Sequence, residues 1–86
     1  MNLTGGRMFG QMVADKRKAQ GKSQRQLAAD AGITRVYVSE IERGNVANPT
    51  AEMLFALARA LDTDAAAFLV ALTPPPETDA QQAQGG

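Results

Sequence analysis

The chain contains no cysteine and no histidine. Without cysteine there is no disulfide framework and no thiolate metal site, and without histidine the commonest general base and the commonest metal ligand disappear together. Glycine-rich phosphate loops of the known spacings are missing too, so neither an enzyme nor a metal or cofactor site is expected. The chain also lacks long apolar runs: the opening MNLTGGRMFG has none, and nowhere do apolar residues extend far enough to span a bilayer. The expectation is a soluble, cytoplasmic protein with no membrane partner.

What is present is small and unevenly charged. The 86 residues are expected to form one small domain, with no room for a separate sensor domain unless partners supply it. A core of this size is marginal, so association with a second copy would help stability as well as function. Net charge is zero, but its distribution is not. From Arg7 to Arg43 eight basic side chains stand against four acidic ones, and from Gly44 onward Arg59 alone stands against Glu52, Asp62, Asp64, Glu77 and Asp79. The split of +4 and −4 gives the molecule a positive and a negative side, unless the charges are merely solubilising.

Residues 1–6 read as a flexible lead-in, because Gly5 and Gly6 delay any helix. A first helix is expected from about Arg7 to Gln20, with Phe9, Met12, Val13 and Ala19 facing inward. Lys16, Arg17 and Lys18 complement the dipole in its last turns, and Gly21 ends it. Ser23 followed by Gln26 is a capping-box pattern opening a second helix. Ser23, Gln24 and Arg25 then lie beside free backbone amides that attract phosphate, or are ordinary capping and solvated residues.

The stretch Gln24 to Arg43, QRQLAADAGITRVYVSEIER, organises the rest. Leu27, Ala28 and Ala31 repeat at helical spacing, Gly32 and Ile33 interrupt, and Val38 and Ile41 resume the period. Gly32 supplies a C-terminal stop and Thr34 an N-cap, so two short helices cross steeply. Small Ala28 permits close approach, while Leu27, Ile33, Val38 and Ile41 share a core. Arg35, Val36, Ser39 and Glu40 are left on the outer face of the helix Thr34 to Arg43. A helix presented in this way suits a DNA major groove.

Gly44 ends that helix, and Asn45 to Pro49 forms a loop. Thr50 caps a fourth helix whose stripe is Met53, Leu54, Leu57, Ala58 and Leu61, with Phe55 off its centre. Asp64 caps a fifth helix carrying Phe68, Leu69 and Leu72. Pro74, Pro75 and Pro76 stop regular structure, and residues 74–86 read as a disordered polar tail.

Taken in order, these residues resemble the Cro and phage-repressor, or XRE-like, helix-turn-helix family. The match runs from Phe9 to Leu72 through Gly21, Ser23-Gln24, Leu27-Ala28, Ala31-Gly32-Ile33, Tyr37-Val38-Ser39, Ile41-Glu42-Arg43-Gly44, Asn48-Pro49-Thr50, Leu54, Leu57-Ala58, Ala60-Leu61 and Phe68-Leu69. The resemblance implies an all-α, five-helix, lambda-repressor-like DNA-binding domain over residues 7–73. It implies phosphate or groove-edge contacts at Ser23, Gln24, Arg25, Tyr37, Arg43 and Asn45, and base reading at Arg35, Val36, Ser39 and Glu40. Arg17 and Glu42 match a pair that in this family bridges the first helix to the recognition helix. The chain departs from the common pattern at Val13-Ala14, where members often carry Leu-Arg, at Lys22, where they often carry an apolar residue, and in a loop one residue longer than the shortest version.

The chemistry of the outer face fits. Arg35 can donate two parallel hydrogen bonds to guanine, and Val36 can pack on a thymine methyl. Glu40 either accepts from cytosine N4 or orients Arg35, the second being preferred. Tyr37 lies at the groove edge or simply covers the domain surface. The expected function is a sequence-specific transcriptional regulator associated with the nucleoid, binding double-stranded DNA as a homodimer on a palindromic operator. Phe55, Phe68, Leu69 and Leu72 are the dimer candidates. Rival readings are an antitoxin whose partner is a toxin, and a restriction-modification controller that also touches RNA polymerase.

Overall fold

The computed structural model describes residues 4–73, so the expectations for residues 1–3 and for the tail 74–86 lie outside the described residues. Five helices follow one another: α1 (Thr4–Ala19), α2 (Gln24–Ala31), α3 (Arg35–Glu42), α4 (Ala51–Ala60) and α5 (Ala65–Leu72). Helix α1 packs on α3 and α5, α2 packs on α3 and α4, and α4 packs on α5. Every start after α1 is capped by the residue whose chemistry forecast it. Ser23 and Gln26 form a reciprocal capping box, while Thr34, Thr50 and Asp64 accept from the backbone N–H of Tyr37, Met53 and Ala66.

Between α2 and α3 the turn is closed by Gly32, which holds φ 72°, a conformation that a Cβ would penalise. The N–H of Ile33 then reaches back 2.9 Å to the carbonyl of Ala28. Ala28 is buried at this crossing, together with Leu27, Val38 and Ile41. These four join Phe9, Val13, Leu54, Leu57, Ala58, Leu61, Ala65 and Phe68 in one core. The rings of Phe9 and Phe68 meet edge to face with centroids 5.4 Å apart, a favoured aromatic geometry that seats α5 on α1.

Two expectations for α1 are corrected. The helix begins at Thr4 rather than about Arg7, so Gly5 and Gly6 lie inside it. Glycine in a helix costs about 0.5–1 kcal/mol locally, but here it permits backbones to touch. A Cβ at Gly6 would stand 2.7 Å from the Gly44 carbonyl oxygen, and one at Gly10 would stand 2.1 Å from that of Ile41. The glycines let α1 lie directly on the end of α3. Ala19, expected inside, is exposed, and Gly10 and Ala14 are buried instead.

Lys22 finds a use that its own sequence neighbourhood does not suggest. Its ammonium donates to the Ala60 carbonyl at 2.6 Å and pairs with Asp30 at 2.9 Å, while Gln20 Nε2 donates to the Leu61 carbonyl at 2.6 Å. Both residues satisfy carbonyls left open at the end of α4, where a cation also complements the helix dipole.

Candidate nucleic-acid interface

Helix α3 turns its apolar side, Val38 and Ile41, into the core and its other side outward. Arg35 is exposed, Val36 is 62% exposed, and Ser39 and Glu40 are half-buried. Among the described residues the ion pairs are Arg17 with Glu42, Lys22 with Asp30 and Arg43 with Glu40. Arg35 is in none of them, so its planar donor fork faces solvent. Tyr37 is partly buried against the core, so part of its ring covers the domain surface.

Arg17 and Glu42 hold this helix to α1. Arg17 Nε donates to Glu42 Oε2 at 2.7 Å and its Nη2 to Oε1 at 3.0 Å, a bidentate geometry suited to a guanidinium and a carboxylate. The remaining Nη1 donates to the Lys22 carbonyl at 2.8 Å. The pair is largely withdrawn from solvent, with side chains 12% and 9% exposed. Burial pushes the Glu42 carboxyl up, but hydrogen bonds from Arg17 and Gln24 and the charges of Arg17 and Lys18 outweigh it and hold the group below its ordinary value. The hydrogen bond to Glu42 in turn raises the pKa of Arg17 despite the opposing effect of burial.

Gln24, expected at a phosphate, is first of all part of this cluster, its Nε2 donating to Glu42 Oε1 at 3.0 Å. A primary amide carries two N–H donors, and one remains for a further acceptor. Arg25 and Ser23 are exposed at the same helix start, with the Ser23 hydroxyl oxygen accepting from the N–H of Gln26.

Glu40 departs from the expectation that it orients Arg35. Its Oε2 accepts from Arg43 Nη1 at 3.1 Å and its Oε1 from Asn45 Nδ2 at 2.8 Å. Five residues place Arg35 about 140° around the helix from Glu40, whereas three bring Arg43 to within about 60°. Phe68 is likewise corrected as a dimer candidate. It is fully buried, whereas Phe55 and Leu69 are 61% and 50% exposed and Leu72 is partly buried. Val70, which the spacing did not single out, is 73% exposed.

Comparison with known proteins decides the family. A model described as helix-turn-helix matches residues 13–68, more than half of the chain. This chain belongs to the XRE-type helix-turn-helix family. It is 38% identical over 55 residues to the HTH-type transcriptional regulator SinR of Bacillus subtilis, covering 64% of this chain and 50% of SinR. It is 35% identical over 57 residues to SlrR of the same organism, covering 66% of this chain and 38% of SlrR. The chain therefore matches at most half the length of these relatives. Among solved structures, the restriction-modification controller protein C.AhdI from Aeromonas hydrophila superposes with a TM-score of 0.69 at 36% identity, covering 73% of this chain and 94% of that one. SinR in complex with DNA superposes with a TM-score of 0.69 at 35% identity, covering 72% and 98%. No helix among the described residues is long and apolar enough to cross a membrane.

Proposed function

We propose that the protein is a sequence-specific DNA-binding transcriptional regulator that acts in the cytoplasm on the nucleoid and places α3 in a major groove. One observation carries this reading: α3 is fixed from behind by the part-buried Arg17–Glu42 pair while Arg35 and Val36 stand free on its outer face. Arg35 would donate its fork to guanine O6 and N7, worth about 1–3 kcal/mol of discrimination, and Val36 would meet a thymine methyl. Arg43, Asn45, Gln24, Arg25 and Ser23 would face phosphates, and Tyr37 the groove edge. Homodimerisation, with half-sites about 34 Å apart, is supported by the apolar surface at Phe55, Leu69 and Val70.

Selection from a random duplex pool at two salt concentrations tests the reading. A two-fold symmetric motif with a steep salt slope is expected, and Arg35→Ala should relax the preference at one base pair while Arg43→Ala weakens all sequences alike. Sequence-independent retention, or an unchanged motif with Arg35→Ala, would overturn the assignment. A second reading, a restriction-modification controller, is favoured by the likeness to C.AhdI over 94% of that chain. Adjacent restriction and methyltransferase genes would decide for it.

A further inference from the structure

Both oxygens of Glu40 are engaged by residues that follow α3. The carboxylate holds Arg43 through Oε2 and Asn45 through Oε1, and the Glu40 main-chain carbonyl also accepts the N–H of Asn45 at 3.0 Å. Asn45 is thus pinned to Glu40 by its backbone and its side chain together. Arg43 is tethered at one guanidinium nitrogen only and is 65% exposed, so its other donors point to solvent. The cluster sits where Gly44, at φ 87°, turns the chain out of α3.

We infer that Glu40 is a positioning residue for the backbone-facing pair Arg43 and Asn45, and not a reader of a base. This rests on the DNA-binding reading and adds a division of labour to it: Arg35 and Val36 distinguish sequences, while Glu40 fixes where the helix exit grips the phosphates. A carboxylate next to phosphates is repulsive by itself, and the two donors it organises compensate for it. Preorganising a flexible arginine and an asparagine lowers the ordering cost of binding. Because the cluster is solvent-exposed, the gain is modest and screened by salt.

The test compares wild type, Glu40→Ala, Arg43→Ala and the double variant in two measurements. In the free protein, the Asn45 side-chain amide resonances are expected to move toward those of a solvated amide in Glu40→Ala. On DNA, the motif selected by Glu40→Ala should match that of wild type at every base pair. Arg43→Ala should cost about threefold less affinity in the Glu40→Ala background than in wild type, as coupled neighbours require. A changed preference at one base pair would make Glu40 a base reader and overturn the inference. So would strictly additive losses, or unmoved Asn45 resonances. If wild type selects no motif, the DNA-binding reading fails by itself, and the resonances still decide whether Glu40 holds Asn45.

Discussion

Glu40 and Glu42 lie two residues apart on one short helix, and each carboxylate binds one arginine and one side-chain amide. Glu42 takes Arg17 and Gln24 from other helices, and its side chain is 9% exposed. Glu40 takes Arg43 and Asn45 from its own continuation and is 37% exposed. The same donor set therefore does two jobs. Buried and long-range, it fixes a helix to a scaffold. Exposed and local, it arranges the end of that helix. The difference lies in the solvent each has given up, because removing one member of a desolvated pair strands the other, while water takes over at the surface.

The largest test of this contrast is Arg17→Ala, which leaves a largely desolvated Glu42 charged, without its ion-pair partner and held only by Gln24. It should lower unfolding free energy by about 3–5 kcal/mol in denaturant titration, and a loss under about 1 kcal/mol would make the two carboxylates equivalent. Glu42→Gln should cost about 1.5–3 kcal/mol at neutral pH, the range for hydrogen bonds to charged groups. That cost depends on pH. Glu42 titrates in the folded protein below its ordinary value of 4.5, so its contribution is complete above about pH 4.5 and fades as pH falls through the lowered folded value. The stability difference between wild type and Glu42→Gln should close over that acid interval, and a gap persisting at the lowest pH would point to packing instead. Gln24→Ala should cost about 1 kcal/mol. Glu40→Ala, at the small end, should change stability by no more than about 0.5 kcal/mol.

Local rules were enough for much of this architecture. The caps at Ser23, Thr34, Thr50 and Asp64, the stop at Gly32 and the apolar stripes follow from chemistry acting within one turn of chain. The pairing of Arg17 with Glu42, 25 residues apart, came from family resemblance, since spacing alone cannot bring the two together. Where tertiary contact outweighed local preference, the sequence misled. Gly5 and Gly6 look like helix breakers until the Leu72 carbonyl at the end of α5 is seen beside Gly5 and the Gly44 carbonyl just past α3 beside Gly6. Lys22 is only a departure from the family's apolar pattern until the open carbonyl of Ala60 is placed beside it. Glu40 had arginines on both sides in sequence; helical spacing brings Arg43 to one of its oxygens, and only the turn at Gly44 brings Asn45 to the other. Phe68 was equally ambiguous, because only the position of Phe9 makes it interior.

The contact between the Gly10 backbone and the Ile41 carbonyl carries a further consequence. The pose of α3 is set by main chain against main chain and by groups behind it, and Arg35 and Val36 contribute nothing to the core. Substitutions at the outer residues can therefore accumulate without disturbing the frame that holds the helix. Gene duplication of such a domain would yield paralogues whose outward surfaces diverge long before their shapes do.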